Sequence, residues 1–388
     1  MTVGGTEGVR RANVRALLRA VHVGGPATRS ELTRSLGLNR STIGALTSEL
    51  ASLGLVVERM SASPGPGRPS HLVVPDADNA VVAVDLRVDW VEVALVGLGG
   101  VVLERRASQH GRGMDEIDRV IELIAALTQE VLSARKPRRF LGVGVSVPGA
   151  VQRGEGVVRF APAIEWTNEP FGARLSERLG VAVHVGNDAN LGALAEQLRG
   201  AARGHANVIY LSANVGIGGG LLADGELRDG AAGFAGEVGH MPVADGPTCH
   251  CGGSGCWELK AGEDRLLTLA GWEPGGGSEA VAEILAAVRD GNERACAAVA
   301  EVARWTGVGL RGVLNVFDPD LVVLGGSLAQ VWNDYADEID AAIGPSAFRP
   351  QGSRERIRTS DLGADSSLVG AAELAFADVL SDPQRAVV

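Results

Sequence analysis

Nowhere in the chain is there an apolar run of the roughly 18 residues that a membrane-spanning helix needs. The opening residues, MTVGGTEGVRRANVR, hold no apolar segment followed by a cleavage site. Both absences lead to the expectation of a soluble, cytoplasmic protein without a membrane partner. Cysteine is scarce, with 4 in 388 residues, so a disulfide framework is excluded. Net positive charge is also missing: the formal charge is −11, which read alone argues against nucleic acid.

The distribution of that charge reverses the last point. Residues 1–71 carry nine arginines against four glutamates, a net of +5, which leaves −16 for the remainder. A basic head on an acidic body confines phosphate attraction to the head. With 45% hydrophobic residues the chain can bury a large core, and its length suggests two or three domains.

In the head, Val14, Leu17, Leu18 and Val21 repeat at helical spacing over Arg10–His22. Gly24, Gly25 and Pro26 end that helix. Thr28 and Glu31 are spaced as a capping box for a second helix reaching about Leu36. After Gly37, a third helix from near Asn39 to about Leu53 buries Ile43, Leu46, Leu50 and Leu53. Two short helices around a glycine turn predict a helix-turn-helix. Asn39, Arg40, Ser41 and Thr42 at the start of the second of them are the candidates for base and phosphate contacts. Strands at Leu55–Met60 and His71–Val74 flank a Gly/Pro-rich loop and predict a wing. Arg68, between Gly67 and Pro69, is the candidate for a minor-groove contact.

From Ala80 onward strands alternate with helices, which predicts an α/β body. The segments Gly144-Val-Ser-Val-Pro148-Gly149, Asn187-Asp-Ala-Asn190, Gly233-Phe-Ala-Gly-Glu237-Val-Gly-His240 and Cys249-His-Cys251-Gly-Gly-Ser-Gly-Cys256-Trp-Glu258 follow in this order. Three thiolates with one imidazole suit tetrahedral Zn²⁺, and such a full set leaves no open position, so the metal is read as structural. His240 and His250 are both available as the fourth ligand. Gly252, Gly253 and Gly255 would let the loop wrap an ion, whereas Cys296 reads as a small core residue.

This series of motifs resembles the ROK family (repressors, open reading frames and sugar kinases), with Leu321-Val-Val-Leu-Gly-Gly-Ser similar to its C-terminal nucleotide-side motif. The resemblance covers essentially the whole chain. It implies a winged helix-turn-helix at 1–75 and a two-lobed actin-like (ribonuclease H-like) body at 76–388, with lobes near 76–186 and 187–388. It implies sugar contacts at Asn187, Asp188, Glu237, His240 and Glu258, with Asp188 in the place of the catalytic base. It favours His240 over His250 as the zinc ligand with Cys249, Cys251 and Cys256. Trp166 and Asn168 are placed at the cleft rim.

The family's kinases begin the body with Asp-x-Gly-Gly-Thr, and the matching stretch here is Asp85-Leu86-Arg87-Val88-Asp89. Glycines at such a loop let backbone N–H groups reach phosphate oxygens. Both are gone, and Asp89 would repel a triphosphate. A second loop, Gly-Thr-Gly in the kinases, reads Asn214-Val215-Gly216. The expectation is a regulator, read as a repressor of carbohydrate-metabolism genes, that binds operator DNA and a sugar or sugar phosphate without phosphorylating it. It would act as a homodimer or homotetramer. The competing expectation is an active, glucokinase-like ROK sugar kinase that also binds DNA.

Overall fold

The computed structural model describes residues 5–60, 71–110, 117–152, 154–345 and 353–384. The head opens with α1 (Gly5–Gly24), β1 (Ala27–Thr28), α2 (Arg29–Leu36) and α3 (Arg40–Ser52). Val14, Leu17, Leu18 and Val21 of α1 are buried, as their spacing predicts. The capping box forms: Glu31 N donates to Thr28 Oγ1 at 3.2 Å, and Thr28 N to Glu31 Oε2 at 2.7 Å. Gly37 closes α2 at φ 65°, in the left-handed region that glycine enters without strain. Then β2 (Val56–Met60) and β3 (His71–Pro75) pair antiparallel, with β1 on the other side of β3. Arg68 lies outside the described residues.

The first sheet of the body is built from β4 (Asn79–Leu86), β5 (Trp90–Gly97), β6 (Val101–Gln109), β7 (Arg139–Val147) and β11 (Val183–Asn187), in the order β11-β7-β4-β5-β6. α4 (Ile117–Ala134) follows β6. β8 (Ala150–Gln152), β9 (Val157–Ala161) and β10 (Trp166–Glu169) make a small antiparallel sheet after β7, and α5 (Phe171–Leu179) leads into β11. β4, β7 and β11 run parallel, so their C-terminal ends share one edge. That edge is where open α/β sheets bind ligands.

The chain crosses over at α6 (Asp188–Arg199) into β12 (Val208–Ala213), β13 (Ile217–Ala223) and β14 (Glu226–Leu227). Four helices follow: α7 (Glu258–Ala261), α8 (Glu263–Ala270), α9 (Gly277–Arg289) and α10 (Glu293–Phe317). β15 (Leu321–Gly325), α11 (Gly326–Ile343) and β16 (Ile357–Thr359) complete a second sheet of order β14-β13-β12-β15-β16. The last helix, α12 (Ser366–Ser381), returns to the first half of the body. Gly144 of β7 shows how closely it packs: a Cβ there would come within 1.9 Å of Ala371 O.

The glycine-rich stretch at 216–220 is largely strand β13. Its glycines serve packing. A Cβ at Gly220 would come within 2.3 Å of Ala189 O, so only glycine lets α6 lie this close to the strand. α6 is also pinned at its far end. Glu196 is fully buried, and its carboxylate accepts from Ala201 N at 2.8 Å, Leu362 N at 3.2 Å, Ser366 Oγ at 3.0 Å and the Ser360 hydroxyl. These donors lie just after α6 and around the start of α12, so one carboxylate joins the two helices.

Removing that acceptor strands several buried donors. Glu196→Ala is therefore expected to lower the unfolding free energy by about 3–5 kcal/mol, while exposed Glu177→Ala stays within about 0.5 kcal/mol. Urea unfolding followed by circular dichroism measures both.

Candidate functional site

The site begins where β11 turns into α6. Asn187 is the N-cap of that helix, its Oδ1 accepting from Asn190 N at 2.9 Å. Its Nδ2 donates to Gly149 O and to Asp188 Oδ1, both at 2.9 Å. Gly149 sits at φ 116°, with Phe160 O only 2.5 Å from where a Cβ would be, so the Pro148-Gly149 turn demands glycine. Asp188 Oδ1 also accepts from Ala189 N at 2.9 Å.

The Asp188 carboxyl is pushed up to about 7. Burial is the main cause, and the charges of Asp85 and Glu237 add to it, while the Ala189 amide opposes. The side chain is enclosed by protein on most sides but keeps an opening to solvent. Water entering there screens part of the effect, and a ligand hydroxyl would occupy the same opening. The Glu237 carboxyl is raised as well, by burial first and then by Glu258, with His240 pulling it down. Asp85, Asp188, Glu237, His240 and Glu258 thus form one electrostatic cluster across the two halves of the body.

The metal-type donors adjoin it. His240 Nδ1, Cys249 Sγ, Cys251 Sγ and Cys256 Sγ all lie within 4.8 Å of one another. His240 Nδ1 is 3.6 Å from Cys249 Sγ, and Cys251 Sγ is 3.6 Å from Cys256 Sγ. A tetrahedron with zinc–sulfur bonds of about 2.3 Å has edges of about 3.7 Å, so the spacing fits Zn²⁺. The structure brings His240 to the sulfurs; His250 is exposed and outside the group. Gly252 at φ 85° and Gly255 at φ 69° turn the loop. Trp257, fully buried with Nε1 donating to Trp305 O at 2.9 Å, anchors its end.

Burial pushes Cys249 and Cys256 up, and Cys249 donates to Glu258 Oε1 at 3.0 Å, whereas the Gly253 amide holds Cys251 down. Three thiols and an imidazole gathered this way have the make-up of a zinc site. His240 turns its other nitrogen, Nε2, to Glu237 Oε2 at 3.7 Å, so one ring faces both the sulfurs and the acidic cluster.

At the position of the first phosphate loop, Arg87 folds back on Asp85, with Nε 2.7 Å from Oδ2, and its NH2 donates to Ala364 O at 2.9 Å. Arg105 bridges Glu92 at 3.0 Å and Asp365 at 2.9 Å nearby. Asn214–Gly216 is the turn between β12 and β13, where a Cβ on Gly216 would meet Glu258 Oε2 at 2.4 Å.

The five sequence-assigned sugar positions, Asn187, Asp188, Glu237, His240 and Glu258, are therefore close together. Trp166 is not at a rim: it is 4% exposed, in the core with Phe171 at 5.0 Å. Asn168 is exposed and accepts from Arg159. Sequence reasoning missed the pairing of Arg87 with Asp85. It also missed the buried Ser146 Oγ and Asn190 Oδ1, which have no hydrogen-bond partner among the described residues. In the head, Arg40 and Ser41 are exposed, while Asn39 Oδ1 is occupied as the N-cap of α3 by Thr42 N at 2.8 Å and Ser41 Oγ at 2.7 Å.

The family model of the ROK family matches residues 81–378, and the chain belongs to that family. The xylose repressor of Caldicellulosiruptor bescii is 29% identical over 92% of this chain and 94% of its own length. The glucokinase of Streptomyces coelicolor is 34% identical over 65% of this chain and 86% of its own length. The crystal structure of a ROK family transcriptional regulator, a homolog of the E. coli MLC protein, has a TM-score of 0.76 at 23% identity, covering 98% of this chain and 99% of that one. The fold is thus the expected one, an N-terminal helical head with a small sheet followed by a two-lobed actin-like body. No helix among the described residues is long and apolar enough to cross a membrane.

Two outcomes are expected. Purified protein prepared without chelators should carry about one zinc per chain by elemental analysis, and Cys251→Ser should lower it several-fold. Second, a carboxyl raised to about 7 in the folded state, against about 3.9 unfolded, loses stability as pH rises between those values. Asp188→Asn should then match the parent at pH 4 and exceed it at pH 8. Three pKa units set a ceiling of about 4 kcal/mol, and screening through the opening reduces the expectation to about 1–2 kcal/mol. Denaturant titrations at the two pH values decide it.

Proposed function

We propose that this chain is a DNA-binding transcription regulator, of the repressor kind, whose kinase-like body senses a free sugar. The observation that carries the reading is Arg87 on Asp85. A guanidinium held there neutralises the carboxylate and fills space that the family's kinases leave open with glycine. Asp89 and Val215, each in the place of a threonine, further remove hydroxyls suited to phosphate. The extent of similarity supports the same reading. The repressor resemblance spans the head and body, whereas the glucokinase match leaves about a third of the chain uncovered.

The effector follows from charge. Asp85, Asp188, Glu237 and Glu258 face one paired arginine and His240. Such a hollow accepts hydrogen bonds from neutral hydroxyls and repels a phosphate. A free sugar fits, and the xylose repressors among the relatives make D-xylose the first candidate. Asp188 accepts a hydroxyl proton in a hydrogen bond, Asn187 fixes its orientation, and Glu237, Glu258 and His240 Nε2 bond further hydroxyls. His240 Nδ1 with Cys249, Cys251 and Cys256 would hold a structural Zn²⁺, which supplies a fixed ring orientation for His240.

The head at 1–75 reads DNA through α3 from the major groove. Arg40, Ser41 and Thr42 are offered to bases and phosphates, with Asn39 contributing its Nδ2, and Arg68 is proposed to enter the minor groove. The body, at 76–388, pairs with a second copy, so that two heads meet half-sites about one DNA turn apart. Sugar binding changes the angle between body and head.

Fluorescence anisotropy on a duplex selected from a random library by the full chain, at fixed salt, should show DNA affinity changing at least tenfold with one free sugar and not with its phosphate. A coupled ATP assay with the same sugars should show no turnover. Phosphorylation at about 1–1000 per second, abolished by Asp188→Asn, would establish the kinase reading instead.

A further inference from the structure

α1 ends against the body in a knot of buried polar groups. His22 is fully buried, edge-on to Phe376 at 4.8 Å. Its Nδ1 accepts from Gly99 N at 2.9 Å, which places the ring proton on Nε2, and Nε2 donates to Glu373 Oε2 at 3.0 Å. Arg199 ties the rest together. Its Nε donates to Glu373 Oε1 at 2.6 Å, its NH1 to Gly99 O at 3.1 Å and its NH2 to His22 O at 3.2 Å. The same NH2 stands 3.0 Å from His22 Nε2, a close contact between two donors. Burial pushes the Glu373 carboxyl up, but the His22 hydrogen bond and the Arg199 guanidinium outweigh this and hold it below its ordinary value. There is no room to spare: a Cβ on Gly100 would come within 2.4 Å of Arg199 Cζ.

Arg199 is the last residue of α6, whose first residue is Asp188. The 12-residue helix spans about 18 Å and links the acidic cluster to the knot. It cannot slide freely on α12. A Cβ on Gly370 would come within 2.1 Å of Leu191 O, and Glu196 bonds the C-terminal end of α6 to the segment that starts α12. α6 and α12 therefore move as one body, and a shift at Asp188 appears at the bonds that Arg199 and Glu373 make to His22 and Gly99. Hydrogen bonds of 3.0–3.2 Å from this pair to His22 and Gly99 do not stretch by an ångström; they break and re-form in another arrangement.

We infer that Arg199, Glu373 and His22 are the positioning residues through which occupancy at Asp188 sets the orientation of the DNA-reading head. The inference rests on the reading above that a sugar binds at Asp188. None of the three touches the sugar or the DNA. They act through α6 at one end and α1 at the other, and the measurable quantity is the ratio of DNA affinities with and without sugar.

The test uses the full chain and its Arg199→Lys and Glu373→Gln variants. D-xylose and D-glucose binding is measured by calorimetry, and DNA binding by anisotropy at fixed salt on the library-selected duplex. Both variants should bind sugar within about twofold of the parent. Glu373→Gln should bring the affinity ratio to within about twofold of one, and Arg199→Lys, which keeps the charge, should retain part of it. Parent-like ratios in both variants overturn the inference and leave the sugar reading intact. A parent chain that binds neither sugar overturns the sugar reading, and this inference with it. If a variant fails to fold, hydrogen exchange in the parent decides. Sugar-dependent protection of the amides at 17–24 supports the inference, and unchanged protection overturns it.

Discussion

The pairing of α6 with α12 is the constraint on which the other parts of this molecule rest. Glycines at 220 and 370 let α6 touch β13 on one side and α12 on the other, at distances any side chain would forbid. Two buried carboxylates then fix the pair, Glu196 through backbone and hydroxyl donors and Glu373 through Arg199 and His22. Buried charges of this kind are poor sources of stability, because desolvation offsets most of what pairing returns. They are good sources of position, since the arrangements that satisfy all the donors are few and discrete. The helix that carries Asp188 is therefore among the least adjustable parts of the body.

Charge at the site obeys the same logic. Asp85, Asp188, Glu237 and Glu258 would repel one another in an empty cleft, and the raised carboxyls of Asp188 and Glu237 register that repulsion together with burial. In a phosphotransferase, cations that accompany the nucleotide can offset such a cluster. Here Arg87 supplies a permanent cation at Asp85. On the proposed reading, arginine in the place of that glycine does two things: it removes the need for an external counter-charge and occupies the space a phosphate would take.

How much of this was legible in the sequence follows the range of the interactions. The capping box at Thr28, the αL turn at Gly37 and the zinc-type donors were readable because their partners lie within a few residues or form a dense motif. Trp166 was misplaced because burial depends on what packs over it, here Phe171 and the first sheet. The glycine run at 216–220 hid a strand, since glycine has no side chain to alternate. Arg87 was visible only as a lost glycine; its partner Asp85 is two residues away, but the fold-back depends on the turn into β5. The knot was out of reach, because His22, Arg199 and Glu373 are far apart in the chain. A trace was present nonetheless: Glu373 is the lone acid in the apolar run Leu368–Phe376, and such a residue needs a buried partner.

The head is held at a second place, and the geometry of the two holds matters. At the end of α3 the body caps the helix: Arg139 NH1 donates to Leu53 O at 2.5 Å, and Arg138 NH2 and Asn79 Nδ2 donate to Gly54 O at 2.7 and 2.8 Å. Cationic donors suit the negative end of a helix dipole. The opposite end of α3, with Asn39 to Thr42, is the end proposed above to meet DNA. Beyond these two holds, α1 and α3 share one buried apolar cluster with α12 and the first sheet, which seats the head on the body. On the proposed reading, a change at Arg199 would tilt the reading end of α3, and in a dimer that tilt would change the distance between two reading ends. Spacing on DNA is a steep filter, because half-sites recur only once per helical turn. On that reading, a small rearrangement at His22, Arg199 and Glu373 would be sufficient to move the pair of heads on or off register.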